Sequence, residues 1–376
     1  MKKAALKDVA PAKAARVIFS PKDAVWQLNL DQVESQSGRI LSKVTGLASA
    51  AGSSTQAFDT GNVLYSKLRP YLNKVVCPDT PGIATTELVP LRPDPKLLDR
   101  QYLTYYLRSP EFVTWISNEV AGAKMPRVTM KAFWDHEIPL PPLAEQKRIA
   151  AILDAADALR AKRREALAQL DALLQSTFLT LFGDPVENPM GWERKTLGEM
   201  INFIGGSQPP KETFTYEPGP GKIRLVQIRD FKSDRFQTYI PEKLARRPFR
   251  EDDVMIARYG PPVFQILRGL SGSYNVALMK AEPIGTVENL FIFHLLSQPK
   301  INAAVVAKSE RTAGQTGVNL QFLNNYPAYL PPLPLQQKFA AIVESVERQK
   351  TTQRAHLAEL NSLFAALQHR AFRGEL

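Results

Sequence analysis

The sequence predicts an α+β protein. It reads as two similar domains with small, twisted, mostly antiparallel sheets and helices, and two long helices forming an antiparallel coiled coil. Three observations carry this reading: an internal repeat, short β-type runs between turn residues, and two long stretches free of helix breakers. The repeat is the strongest. Segment 138–153 (IPLPPLAEQKRIAAIL) returns as 328–343 (AYLPPLPLQQKFAAIV), so that Pro141 matches Pro331 and Ala151 matches Ala341. The same register continues without a gap to Leu170/Leu360, Leu173/Leu363 and Phe182/Phe372, and runs back to Val128/Val318.

The front of each copy repeats less clearly. Ala5–Val9 resembles Thr196–Met200, and Asn62–Lys67 resembles Asp253–Arg258. The spans Val63–Tyr65, Leu72–Val76, Leu88–Leu91, Ile223–Ile228 and Val254–Ala257 read as strands, because β-branched and aliphatic runs there are bounded by Gly, Pro and Asp. A helical stretch follows in each copy, over Leu98–Val120 and Leu290–Lys308. The charge balance of the two fronts agrees: residues 1–142 and 192–332 each carry 18 basic and 13 acidic side chains, a net +5.

The back of each copy is simpler. After Pro141-Pro142 and Pro331-Pro332 both run for about 40 residues without Gly or Pro, except Pro334 in a first turn, where proline is tolerated. A seam of three- and four-residue steps runs through Ile149, Ile152, Ala156, Leu159, Arg163, Ala166, Leu170 and Leu173. The second runs through Phe339, Ile342, Val346, Gln349, Gln353, His356, Leu360 and Leu363. A helix of that length spans roughly 60 Å, too long for one small domain to bury, so the two helices are expected to pack on each other. The expected division is 1–142 and 184–332 for the two domains, 143–183 and 333–376 for the helices.

Composition narrows the function. Of 376 residues, 44% are hydrophobic and 23% charged, ordinary for a folded chain. Lys and Arg outnumber Asp and Glu by 48 to 37, an excess of +11 that favours a polyanionic partner, nucleic acid before an acidic membrane. One cysteine, Cys77, excludes a disulfide framework and fits a reducing cytoplasm. No apolar run reaches the ~18 residues of a membrane span.

Catalytic motifs are scarce. Gly221-Lys222 reads as a turn rather than a phosphate loop, and His136-Glu137 lacks the second histidine of a zincin helix. Asp79 with Asp94 and Lys96 matches a two-carboxylate nuclease site only loosely and reads as surface turns. Basic and aromatic residues form a better pattern. Tyr65, Lys67, Arg69 and Tyr71 alternate, which on a strand places them on one face. The second copy offers Arg258, Tyr259, Gln265 and Arg268, and later Lys124 and Arg127 match loosely in position Gln315 and Asn319. Such groups contact phosphates or base edges, so they are the candidate DNA-binding residues.

Several of these segments resemble the specificity subunit of type I restriction–modification systems. They are Pro139–Ile149 with the long helix after it, Phe182-Gly183-Asp184-Pro185, Gly191-Trp192 followed by Thr196–Glu199, VLYSKLRP at 63–70, and the closing AFRGEL at 371–376. The resemblance covers the whole chain. It implies two target recognition domains, each reading one half of a bipartite, asymmetric double-stranded DNA site, with the coiled coil fixing their spacing. It also implies two methyltransferase subunits docked on the helices, which would carry S-adenosylmethionine, and a restriction translocase subunit using ATP and magnesium. No cofactor or metal is expected on this chain, and no catalysis. The alternatives are the specificity subunit of a methylation-only or type II-like system, and a coiled-coil adaptor that binds no DNA.

Overall fold

The computed structural model describes residues 2–122, 124–260, 262–312 and 315–376, with side chains left aside at 310–312 and 315–316. The chain divides into two compact units: Met1–Glu165 with Ala355–Leu376, and Ala166–Arg354. The long helices, Leu143–Phe182 and Leu333–Arg373, each contribute to both.

Among the described residues, unit 1 contains a three-stranded antiparallel sheet centred on Val63–Ser66, flanked by Val75–Val76 and Leu88–Leu91. A four-stranded sheet lies beside it in sequence, ordered Thr45–Leu47, Ala24–Leu28, Gly82–Thr85, Thr55–Phe58, with one parallel pairing of Trp26 against Gly82. Unit 2 repeats the plan. Val254–Ala257 lies between Ile266–Leu267 and Leu278–Pro283, with Ile201–Gly205 outside. Its second sheet likewise holds one parallel pairing, Leu225 against Ser273.

Each unit closes its own ends. Lys3–Ala5 pairs antiparallel with Glu137–Pro139, and Glu193–Thr196 with Pro327–Leu330, so the start of each domain is zipped to the strand that feeds its long helix. Leu6 and Leu197, which follow those first strands, are both fully buried. Their amides donate to His136 O and Tyr326 O at 3.0 and 2.9 Å.

The expected helical stretches are each broken in two. Leu98–Val120 holds Arg100–Leu107 and Pro110–Asn118; Leu290–Lys308 holds most of Asn289–Leu296 and all of Pro299–Ala307. The break falls before Pro110 and Pro299, since the residue preceding a proline is driven out of the helical region. At the first break Ser109 Oγ caps the new helix by accepting from Phe112 N at 3.3 Å. The expected strand Leu72–Val76 shrinks to Val75–Val76, because Pro70–Leu72 forms a 3-10 turn and Asn73 takes φ 51°.

Within each unit the long helices run antiparallel. In unit 1 Arg160 Nε donates to Asn361 Oδ1 at 2.8 Å; in unit 2 Lys350 meets Asp171 at 2.7 Å, and the Phe182 and Phe339 rings lie 5.3 Å apart. The buried line departs from the expected seam. Ile149, Phe339 and Val346 are buried, and Ile152, Leu170, Ile342 and Leu360 half-buried, but Leu159, Leu173 and Leu363 are exposed at 52, 47 and 49%. The burial passes instead through Leu153, Leu174, Phe178, Val343 and Phe364. A two-helix seam ignores the third body. Phe178 stacks on Phe291 of unit 2 at 5.9 Å and Phe364 lies 6.0 Å from Tyr105 of unit 1, so each apolar stripe is turned toward the helices of its own domain.

A repeated glutamine fastens that junction. Gln146 and Gln336 are fully buried and match at the repeat spacing. Gln146 Oε1 accepts from Asp99 N at 2.9 Å while its Nε2 donates to Pro141 O and Leu97 O. Gln336 Oε1 accepts from Glu288 N at 3.0 Å and its Nε2 donates to Pro331 O. Asp99 and Glu288 are the N-cap residues of the domain helices. One side chain therefore ties the first turn of a long helix to the start of a domain helix, satisfying backbone groups that would otherwise be buried unpaired.

Candidate nucleic-acid interface

In unit 1 the central strand fixes where the basic residues go. Val63–Ser66 is paired on both sides and fully buried, and at Lys67 the chain leaves the sheet. Lys67 N donates to Glu87 O at 3.0 Å, and Lys67 O accepts from Val128 N at 2.8 Å. Leu68 then bridges Arg127, and Arg69 N donates to Pro126 O at 2.7 Å. The loop after the central strand is thus stitched to the return arm of the hairpin Val120–Ala121/Arg127–Val128.

This stitching gathers Lys67, Arg69, Lys124 and Arg127 into one patch. Lys67 is half-buried and the other three are exposed; Tyr71 and Met125 stand exposed beside them at 47% each. Arg127 is held in an ion pair, with Nη2 3.1 Å from Glu87 Oε1 and Nε 3.4 Å from Oε2. Arg69 sits at φ 51°, a left-handed conformation that is unfavourable for a residue with a Cβ and is found where the surroundings impose it.

The expected single strand face for Tyr65, Lys67, Arg69 and Tyr71 does not form. The strand ends at Ser66, and Arg69 and the turn after it reverse direction. Tyr65 belongs to the core. It is 3% exposed, its ring lies 4.6 Å from Phe133, and burial pushes its phenol well above the ordinary value. Its hydroxyl has no hydrogen-bond partner among the described residues.

Unit 2 builds the same loop from other residues. Arg258 N donates to Ala277 O at 2.8 Å and Arg258 O accepts from Val318 N at 3.0 Å. Tyr259 bridges Gly317 on the hairpin Glu310–Thr312/Gln315–Gly317. A Cβ at Gly317 would stand 2.9 Å from the Tyr259 ring, so glycine lets that ring lie against the strand. The Arg258 guanidinium sits 5.1 Å from the same ring centroid, and its Nε is buried with no partner among the described residues. Gln265 lies next to the strand end, its carbonyl accepting from Ala257 N at 2.9 Å and its Nε2 donating to Pro262 O at 2.8 Å.

Two expected residues, Asn319 and Arg268, stand elsewhere. The Gln315 side chain lies outside the described residues. Asn319 caps the helix Leu320–Asn324, its Oδ1 accepting from Phe322 N at 2.9 Å, a role that an Asn ahead of an apolar run signals in sequence. Arg268 turns from the loop to a groove of about 1040 Å³ formed with Asp171, His294, Glu344 and Lys350, its guanidinium 5.9 Å from the Phe293 ring. That placement follows from strand Ile266–Leu267, which ends there.

Sequence reading missed two features. Glu87 reaches the patch from the neighbouring strand turn, 40 residues from Arg127. Phe236 is 57% exposed, with Arg229 and Arg235 guanidinia 5.8 and 5.2 Å from its ring. Asp79 pairs with Lys43 at 2.6 Å and Asp94 Oδ1 accepts from Lys96 N at 2.9 Å, both in exposed turns. No group of three or more metal-ligating side chains occurs among the described residues.

The type I restriction modification DNA specificity domain family matches this chain over residues 50–169 and 189–362, most of its length and both repeats. The chain belongs to this family. Among its relatives, the EcoDI specificity subunit of Escherichia coli is 28% identical over 177 residues, 46% of this chain and 39% of that protein. The EcoKI specificity subunit of Escherichia coli strain K12 is 25% identical over 76% of this chain and 67% of that subunit. The chain thus spans well under half of the first relative and about two thirds of the second. Two solved structures share the fold. One, from work on complex assembly and conformational transition of the type I R-M system, covers 100% of this chain and 98% of its own at TM-score 0.57 and 24% identity. The other, the Type-I restriction-modification system S subunit from M. genitalium, covers 99% and 96% at TM-score 0.57 and 16% identity.

Proposed function

We propose that this chain is the DNA sequence specificity subunit of a type I restriction–modification enzyme, non-catalytic itself. Each loop-and-hairpin cluster reads one half of an interrupted target. The observation that carries this is the pair of clusters at matching places in the two units, alike in the main-chain bonds of Lys67 and Arg258 and in the bridge to the hairpin, and unlike in side chains. Two unlike readers on one chain suit an asymmetric site, whereas a symmetric dimer suits a palindrome. The long helices fix the spacing of the two halves and dock two methyltransferase subunits. Leu159, Leu173 and Leu363, exposed on those helices, supply apolar area for that docking. S-adenosylmethionine belongs to the methyltransferase subunits, and ATP with magnesium to a translocase subunit that joins them.

No single helix among the described residues is long and apolar enough to cross a membrane. The cytoplasm, where chromosomal DNA lies, is the compartment this role requires.

The direct test is binding to random duplex DNA over a salt series. A DNA reader with several cationic contacts loses affinity steeply as salt rises, with log K falling linearly against log salt. A coiled-coil adaptor without a DNA role shows almost no binding at low salt, and that result would remove the proposal.

A further inference from the structure

The two loop clusters share their backbone and differ at two positions that face each other. In both, the residue after the central strand donates its amide to one neighbour and accepts from another: Lys67 with Glu87 and Val128, Arg258 with Ala277 and Val318. Unit 1 therefore has Glu87 where unit 2 has Ala277. On the hairpin, unit 1 has Arg127 where unit 2 has Gly317, since Leu68 bridges the first and Tyr259 the second. Unit 1 thus places an acid and a guanidinium at two positions where they touch, and unit 2 has neither group there.

The geometry of that pair is selective. Arg127 spends Nε and one Nη2 hydrogen on the Glu87 carboxylate, at 3.4 and 3.1 Å. A guanidinium has five N–H donors in one plane. Three remain, two on Nη1 and the second on Nη2; the second Nη2 hydrogen and the Nη1 hydrogen beside it form the outer fork of the side chain. That fork is the edge that meets O6 and N7 of guanine in the major groove. The backbone at Arg127 is held from both sides, by Ala121 across the hairpin and by Leu68 across the loop. The side chain is 48% exposed while Glu87 is 25% exposed, so the carboxylate lies behind and the fork in front. A carboxylate at that distance also opposes a phosphate on the same guanidinium, whereas Lys124 on the hairpin tip has no ion pair among the described residues.

We propose that Arg127, oriented by Glu87, is a guanine-reading residue for the half-site bound by unit 1. This rests on the DNA-reading role proposed above. Glu87 is a positioning residue: it touches no base and acts by removing the rotamers in which Arg127 would grip phosphate. Pre-orientation of this kind lowers the ordering cost of binding and adds selectivity.

The test uses the complex with its cognate methyltransferase. Methylated sites are mapped for the unaltered chain, Arg127→Ala, Arg127→Lys and Glu87→Gln, and binding is measured on duplexes carrying 7-deazaguanine, which lacks the N7 acceptor, at each guanine of the target. In the unaltered complex one such substitution should weaken binding roughly 5- to 150-fold. Arg127→Ala should lose that sensitivity, accept other bases at that one position, and leave the other half-site as selective as before, which also shows that the variant is folded. Arg127→Lys should fail to restore the preference, and Glu87→Gln should keep it in weakened form. Equal weakening on all sequences with a shallower salt dependence would make Arg127 a phosphate contact and overturn the assignment. So would an unchanged map, or a target whose responding half-site holds no guanine. An unaltered complex that binds no DNA and directs no methylation would instead fell the DNA-reading role itself, and this inference with it.

Discussion

Gln146 and Gln336 occupy matching places in the two units and make nearly the same hydrogen bonds. Arg127 and Gly317 also occupy matching places, and their side chains have nothing in common. The difference separates two kinds of constraint. Gln146 and Gln336 answer a demand of the backbone: a buried proline carbonyl and a half-buried N-cap amide at each junction must be paired whatever the domain binds. The loop after the central strand makes no such demand. Lys67 and Arg258 already bond through their main chain to a strand turn on one side and the hairpin on the other, so the side chains are free to differ. One region holds the fold and repeats; the other, proposed above to read DNA, diverges.

Phe178 and Gln368 match at the repeat spacing and are both buried. Phe178 fills the aromatic cluster of unit 2 with Phe182, Phe291 and Phe339, whereas Gln368 Nε2 donates to Tyr105 O at 2.8 Å in unit 1. Phe178→Ala should cost about 3–5 kcal/mol by cavity formation, and Gln368→Ala about 1–3 kcal/mol through one orphaned carbonyl. Thermal unfolding of the two variants checks the order. Next come Gln146→Leu and Gln336→Leu. The first strands three partners and the second two, so losses near ~3 and ~2 kcal/mol are expected, measured by urea unfolding.

Each unit also holds a histidine kept neutral by burial. His136 is pushed down to about 4, with Lys3 adding a smaller push, and Tyr106 Oη lies 2.8 Å from its Nε2. His294 is pushed down to about 4 by burial and then by Arg268. Their unfolded forms protonate near the ordinary value of 6.5, so the unfolded chain binds more protons between that pH and 4. The stabilising share is therefore complete above 6.5 and is lost as the pH falls toward 4. His136→Phe and His294→Phe, followed by unfolding curves from pH 7 to 4.5, should each flatten that decline by about 1–3 kcal/mol. Smallest is Lys124→Ala. It should weaken DNA binding uniformly across sequences and lower the salt slope by about 1, in contrast to Arg127.

Much of the framework was legible because duplication writes the same constraint twice. The match of Pro141 with Pro331 located both helix starts, and Val254–Ala257 formed at the expected residues. The candidate DNA-binding residues were less so. Alternation at Tyr65, Lys67, Arg69 and Tyr71 presumes a strand that continues, and this one stops at Ser66 when its neighbours end. Leu159, Leu173 and Leu363 sit at proper seam intervals, but seam spacing carries no information about a third body. The Glu87–Arg127 pair joins residues 40 positions apart through strand pairing, which local pattern does not encode.

Under the proposed function, two unlike readers on one chain recognise two unlike half-sites. Methylation mapping of DNA from cells that express this chain with its cognate methyltransferase tests it most directly. The account predicts an interrupted motif whose halves differ in sequence and are separated by a fixed number of unread bases. A continuous palindrome would contradict it.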